Sequence, residues 1–263
     1  MFEFIQVVVM AIIQGIAEFL PISSSGHLLV VDTLFRDLGS KIDSDTITLN
    51  IVLHMGTLGA ILVVYRKRIL KLLTEDRRII VLLIVGTIPT VIIGFGLKIF
   101  CEDVLGTPMV AGWMFLVTGL MLLRSSKLQG EMSCRNLTMK KAAVIGIVQG
   151  FAVLPGISRS GSTIVAGLFC GLRRDEAATF SFLLAIPAIG GAGLLSGIDL
   201  LQEGTPSNNF GLLGLGMFIS FAVGIVSLVW LLRWLESGRL QYFAYWLFLL
   251  GPTVIVWQMI AAA

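Results

Sequence analysis

The chain has 263 residues, 56% hydrophobic and 13% charged, with a mean hydropathy of +0.95. A soluble domain carries about 25% charged residues, so this composition excludes an ordinary water-soluble fold and points to a bilayer. A formal charge of +3 is too small to indicate nucleic acid, and Cys101, Cys134 and Cys170 have neither metal-ligand spacing nor a disulfide framework.

In chain order, Met1-Phe2-Glu3 lacks the basic stretch of a cleavable signal peptide, so the first apolar stretch is expected to be retained. Spanning a bilayer takes about 20 mostly apolar residues. Phe4–Phe35 has the apolar content but is interrupted by Pro21-Ile22-Ser23-Ser24-Ser25-Gly26-His27. Three spans follow, Ile47–Tyr65, Ile79–Ile99 and Met109–Leu123. Ala142–Leu172 is interrupted in turn by Pro155-Gly156-Ile157-Ser158-Arg159-Ser160-Gly161-Ser162-Thr163, and the spans Ala178–Gly197, Phe210–Leu232 and Gln241–Ile260 complete the chain. Each interruption has a proline that breaks the helix, then small polar residues that cap a new one. Neither flank is long enough to cross alone, so both are read as re-entrant hairpins, 4–35 and 142–172. Irregular backbone at that depth is tolerated only against protein or a water-filled cavity.

The two interruptions resemble each other. Gln14-Gly15-Ile16-Ala17 matches Gln149-Gly150-Phe151-Ala152, and Ile22-Ser23-Ser24-Ser25-Gly26 matches Ile157-Ser158-Arg159-Ser160-Gly161, both at an offset of 135. The predicted fold is therefore all-α and integral to the membrane, with an inverted-topology repeat. Each half, 1–130 and 131–263, is a re-entrant hairpin plus three transmembrane helices, and the two make one membrane domain with a site near the midplane. Charge agrees with this layout. Of the 19 Lys and Arg, 15 fall on one side, in the loops expected at 66–78 and 124–141, at 173–174 and at Arg233 and Arg239. The positive-inside rule makes that side cytoplasmic. The other side has Arg36, Lys41 and Lys98 among Asp32, Asp37, Asp43, Asp45, Glu102, Asp103, Asp199 and Glu203.

Glu18, His27, Arg159 and His54 remain as ionisable residues at membrane depth. A charge there costs on the order of 3 kcal/mol on insertion scales, so each calls for a function. A structural ion pair between Glu18 and Arg159 is the bland alternative. Arg159 lies among Ser158, Ser160, Ser162 and Thr163 where a helix restarts, and an arginine at a helix amino terminus makes an oxyanion nest. Gln14 and Glu18, four apart, share a helix face directed at the Ser23–Ser25 loop, and His27 follows within reach as acid or base. Hydroxyl, imidazole and carboxylate in one pocket form a hydrolytic constellation. His54 is read as a packing or supporting histidine.

The stretch Gln14–His27 resembles the first signature of the bacterial undecaprenyl-diphosphate phosphatases of the BacA/UppP type, a Glu/Gln-x-x-x-Glu helix followed by a Ser-rich loop ending in Gly-His. Pro155–Thr163 resembles the second, Pro-Gly-x-Ser-Arg-Ser-x-x-Thr, and Phe180–Pro187 also looks like family sequence. The resemblance covers essentially the whole chain. It implies hydrolysis of undecaprenyl diphosphate to undecaprenyl phosphate and phosphate at the outer face of the bacterial inner membrane. That reaction recycles the lipid carrier for peptidoglycan and underlies bacitracin resistance. On the same resemblance Ser24 is the nucleophile and His27 its proton partner, with Ser23, Ser25 and direct attack by water as alternatives. Arg159, Ser158, Ser160, Gly161, Thr163, Ser23 and Ser25 bind the diphosphate. Glu18 activates a group or, with Gln14, binds a divalent cation, Mg²⁺ or Ca²⁺. Gln14 stands where many relatives have a first glutamate and brings no negative charge. The competing reading is a transporter of undecaprenyl phosphate, which needs the arginine nest but no nucleophile. The glycine-rich span Ala188–Gly193 can pack within a monomer or across a homodimer.

Overall fold

Apolar runs of helix-compatible composition, punctuated by Pro, Gly and Ser, give eleven α-helices among the described residues of the computed structural model, which are 2–39, 46–101, 106–125, 127–203 and 210–261. They are α1 Phe2–Ala17, α2 Ser24–Asp37, α3 Thr46–Val64, α4 Arg66–Thr74, α5 Arg77–Phe100, α6 Pro108–Ser125, α7 Met139–Phe151, α8 Arg159–Phe169, α9 Arg174–Glu203, α10 Phe210–Glu236 and α11 Gln241–Ala261. Five of them are long and apolar enough to cross a membrane: α5, α6, α9 over Arg174–Ile198, α10 and α11. The remaining expected span is α3, which bends by 67° at Tyr65 into α4. The basic run Arg66–Lys71, expected as a loop, is thus the helical start of α4. Lys41, Asp43, Asp45, Glu102 and Asp103, and the side chains of Asp199 and Glu203, lie outside the described residues.

Close helix contacts set the bundle. α3 runs parallel to α10, with Gly56 against Met217 and Ser220 and Ala60 against Gly224, while α1 lies parallel on the same helix with Gly15 against Ser220 and Val223. α7 lies parallel on α5, and Gly150 meets Ile93. At Gly146 the two backbones touch, so a Cβ there would overlap the Gly86 carbonyl. Thr90 Oγ1 donates into both helices, to Gly86 O and Gly146 O at 2.9 Å each. α6 and α11 pair antiparallel through Gly112, Gly119 and Gly251. Small residues at crossings replace the water-driven term that lipid does not supply.

These pairings bring Arg66–Arg78, Arg124–Lys141, Arg173–Arg174 and Arg233–Arg239 to one end of the bundle. There buried Asp76 takes Arg68 at 2.8 Å and Arg135 at 2.5 Å, and Arg78 donates to the carbonyls of Arg135 and Leu137. The Cys134 backbone N–H donates to Glu176 Oε2 at 2.6 Å. This clasp ties the α4–α5 turn to the segment that joins the two parts of the chain.

The four short helices arrange the site. α1 and α2 are separated by a break at 18–23, buried throughout, and α7 and α8 by one at 152–158, buried at Ala152, Pro155, Gly156 and Ser158 and exposed at Val153; the two breaks abut one another. Helices of 16, 14, 13 and 11 residues rise about 16–24 Å, short of the roughly 30 Å hydrocarbon core.

Candidate functional site

Both breaks restart a helix in the same way. Ser23 caps α2 by accepting from Gly26 N–H at 3.3 Å, and Ser158 caps α8 by accepting from Gly161 N–H at 3.0 Å. Ser23 alone among the described non-glycine residues holds a positive φ, 71°. That left-handed turn costs of order 1–3 kcal/mol and persists only where surroundings enforce it. Here they do: Gly156 N–H donates to Ser23 Oγ at 3.1 Å, and His27 Nδ1–H donates to Ser23 O at 2.8 Å. Gly156 itself has φ 92°, and a Cβ there would overlap the Ala111 carbonyl. Ser160 Oγ donates to Leu20 O at 3.3 Å, a second stitch between the breaks.

The turn at Ser23 points Ser24 Oγ at Glu18, to which it donates at 2.7 Å on Oε2. Arg159 Nη2 donates to Oε1 of the same carboxylate at 2.6 Å. Gln14 Nε2 donates to Glu18 Oε2 at 3.1 Å and to Thr57 Oγ1 at 3.4 Å. The acceptor face of Glu18 thus orients the Gln14 amide, leaving Gln14 Oε1 buried and unpaired. Arg159 Nη1 is also buried without a hydrogen-bond partner, and its guanidinium lies 6.0 Å from the Phe182 ring centre. Unpaired buried polar atoms are costly. Gln14 and Arg159 are both bonded to Glu18, and an anion beside Arg159 would satisfy its free N–H.

Glu18, Ser23, Ser24, Ser25, Ser158 and Arg159 line one cavity of about 420 Å³, walled elsewhere by α3, α9, Thr90 and Gln149. It runs from the depth of Ala188 and His54 toward Asn50 and Ser196, the end of the bundle opposite the basic clasp.

Not every expected residue faces this space. Ser160, Gly161 and Thr163 are buried off the cavity: Ser160 binds Leu20 O, Gly161 packs on Pro21, and Thr163 Oγ1 is taken by Ser181 and by the carbonyls of Arg159 and Ser160. His27 is not brought to Ser24. Both its ring nitrogens are engaged, Nδ1 on Ser23 O and Nε2 accepting Trp246 Nε1–H at 3.0 Å, and its ring meets Phe115 edge-on. The imidazole is turned toward Phe115 of α6 and Trp246 of α11 instead.

The imidazole on the cavity wall is His54, which sequence reasoning placed outside the site. Its Nδ1–H donates to Asn50 O at 2.7 Å, and its Nε2 lies 3.7 Å from Glu18 Oε2. No local motif marks it; the depth of a histidine in a span was its only signal. Gln149 was legible as the repeat partner of Gln14, and it lines the cavity with Nε2 on Thr90 Oγ1 at 3.2 Å and Oε1 unpaired. Among the described residues no group of three or more His, Cys, Asp or Glu is placed to hold a metal.

Known proteins share this sequence closely. The family model for the bacitracin resistance protein BacA matches residues 7–253. An undecaprenyl-diphosphatase of Rhodopirellula baltica is 49% identical over 256 residues, covering 97% of this chain and 98% of the relative. The undecaprenyl-diphosphatase of Halothermothrix orenii is 39% identical with the same coverage, and that of Treponema denticola 40% identical over 94% of each chain. With the family pattern running through nearly all its length, and through both breaks that build the cavity, this chain belongs to the BacA family of bacitracin resistance proteins.

Proposed function

We propose that this protein hydrolyses undecaprenyl diphosphate to undecaprenyl phosphate and inorganic phosphate. The observation that carries the chemistry is the shared carboxylate: one oxygen of Glu18 accepts the Ser24 hydroxyl while the other holds Arg159. A hydroxyl already donating to a carboxylate is the arrangement of an activated nucleophile. Ser24 Oγ attacks the terminal phosphorus and its proton passes to Glu18 Oε2. The anhydride P–O bond breaks with its electron pair on undecaprenyl phosphate. Water then cleaves the phosphoserine, releasing phosphate and restoring Ser24. His54 Nε2, beside the same carboxylate oxygen, takes and returns the proton, in place of the role expected for His27. Arg159 Nη1 and the backbone at the start of α8, with Ser158, Ser23 and Ser25 on the wall, hold the phosphate oxygens. A flippase needs the arginine but gives Ser24 no reason to face a carboxylate.

A divalent cation, Mg²⁺ or Ca²⁺, belongs to the same proposal. Glu18 and the unpaired Gln14 Oε1 are the oxygens that would hold it. Bound there with the diphosphate, it would neutralise phosphate charge. Gln14 lies off the cavity lining, so one carboxylate and one buried amide would make a weak protein site and the diphosphate would have to supply the remaining oxygens.

The architecture is read as two inverted halves, 1–130 and 131–263, each a re-entrant pair and three spans. α1, α2, α5, α6 and α7, α8, α10, α11 start and stop within a few residues of the 135 offset. α1 packs parallel on α10 as α7 does on α5. The basic end faces the cytoplasm of the inner membrane and the cavity opens outward. A Cβ added at Gly191 or Gly197 of α9 would meet nothing within 4 Å, room for a homodimer contact.

The test is phosphate release from undecaprenyl diphosphate by the purified protein in detergent, with EDTA and metal add-back. Wild type releases phosphate and loses activity in EDTA, whereas Ser24→Ala falls by on the order of 10³-fold or more with an unchanged melting profile. A Ser24→Ala protein at wild-type rate overturns the nucleophile; an inactive, well-folded wild type under every metal condition overturns the phosphatase.

A further inference from the structure

A substrate that joins a diphosphate to a long hydrocarbon needs polar and apolar room side by side. The cavity supplies the polar part at Glu18 and Arg159. Its apolar wall of Ile51, Met55, Ala188, Ile189 and Ala192, in about 420 Å³, is room for only the first isoprene units. A second groove of about 500 Å³ lies on the outside of α5, formed by Leu83, Ile84, Thr87, Ile88 and Val91 with Pro187 of α9. Thr87 is its one lining residue with a polar side-chain atom, and that hydroxyl is spent on Leu83 O at 2.7 Å. The groove therefore offers a chain nothing but hydrocarbon.

The groove and the cavity share the α5–α9 seam. Thr90 walls the cavity while Thr87 and Val91, on either side of it in α5, wall the groove. Across the seam Pro187 belongs to the groove and Ala188 to the cavity. Each helix carries a proline at this level, Pro89 in α5 and Pro187 in α9, where a missing N–H loosens the helix. From Ile92 to Ile80 the groove follows α5 for roughly 18 Å, away from the cavity mouth and toward the basic end. Ile84, Ile88 and Val91 are more than half exposed, so a chain can enter sideways from the bilayer.

Resting on the phosphatase reading above, we propose that the prenyl chain of the substrate leaves the cavity between Thr90 and Ala188 and lies in the α5 groove. The diphosphate is held at Arg159, the first isoprene units lie on the apolar wall of the cavity, and the units beyond them are gripped along α5. Adjacency to the cavity at the α5–α9 seam selects this occupant: a phospholipid tail has no attached diphosphate to anchor it there. Chain recognition is then a function of α5, not of the hairpins that carry the chemistry.

The test uses the full-length protein in detergent, with undecaprenyl diphosphate and the short-chain farnesyl diphosphate as substrates. Ile84→Trp fills the groove two turns beyond Thr90 from an exposed position, and Val226→Trp puts the same ring on the exposed face of α10 as a control. Ile84→Trp is expected to raise KM for undecaprenyl diphosphate about tenfold, equivalent to two lost methylene contacts. It should leave kcat and the farnesyl diphosphate kinetics unchanged, and Val226→Trp should change neither. Equal effects on both substrates, or none on either, overturn the proposal. A photoreactive residue at position 84 gives a second readout that needs no turnover. Labelling by radioactive undecaprenyl diphosphate that excess undecaprenyl phosphate suppresses and phosphatidylglycerol does not supports the groove; equal suppression by phosphatidylglycerol assigns it to bulk lipid. Labelling without phosphate release from either substrate by wild type would fail the phosphatase reading and leave the groove standing.

Discussion

Replacing Arg159 by lysine separates charge from geometry at the site. The guanidinium uses Nη2 on Glu18 Oε1 at 2.6 Å and leaves Nη1 buried and unpaired, so a planar fork can hold the carboxylate and a phosphate oxygen at once. A lysine ammonium is a point donor and cannot reproduce both contacts in that geometry. Arg159→Ala is the poorer experiment, because it strands Glu18 uncompensated in the bundle, a loss of about 3–5 kcal/mol that would confound stability with activity. With Arg159→Lys the positive charge stays and one charge-assisted hydrogen bond is lost. At about 1.5–3 kcal/mol that is a 10- to 150-fold fall in kcat/KM for undecaprenyl diphosphate. The assay is phosphate release over a range of substrate, with a thermal melt of each variant in the same detergent. A lysine variant within about threefold of wild type, melting at the same temperature, would show that the unpaired Nη1 does not bind substrate.

The two histidines should part company. His27→Gln loses its contacts to Ser23 O and Trp246, and lowers the melting temperature by several degrees at about 1 kcal/mol per contact. His54→Gln gives up only the Asn50 contact, lowers the melt less than His27→Gln does, and lowers kcat by about 10²-fold. The reverse pattern would return the proton role to His27. At the basic end, burial pushes the Cys134 thiol up, helped by its contact with Glu176, and reactivity requires the thiolate. In a Cys101→Ser, Cys170→Ser background the native protein should resist iodoacetamide at pH 8 and label only in denaturant; labelling without denaturant would contradict the clasp at Asp76 and Glu176.

Much of this was legible from spacing. The expected spans fall within a few residues of α3, α5, α6, α9, α10 and α11, because apolar runs bounded by Arg, Lys, Pro and Gly leave little choice of helix ends. Glu18 and Arg159 could be paired because each was a lone charge in an apolar stretch and the two stretches matched. Which face a residue takes after a broken helix was beyond the sequence. The left-handed turn at Ser23 decides that Ser24 looks at Glu18 while His27 looks at Trp246, and nothing in Ser-Ser-Ser-Gly-His states that turn. His54 and Asn50 reach the site through the packing of α3 against α10, a contact between residues over 160 apart. The bend at Tyr65 was hidden because Arg66–Thr74 has both the charge of a loop and the residues of a helix.

The stitching of one break to the other bears on how the protein is made. While synthesis has delivered only the first half, Glu18 sits in the membrane without its counter-ion, and the strained Ser23 turn lacks the Gly156 N–H that holds it. A carboxylate in lipid without an arginine beside it is a strong reason to bind the first matching cation that arrives. The arrival of Arg159 discharges that cost and closes the turn together, so the pocket comes into being at the moment the late half docks. Until then the nascent chain holds no Ser24–Glu18 pocket braced by Arg159. The groups that would do the chemistry are the same groups that report assembly is complete.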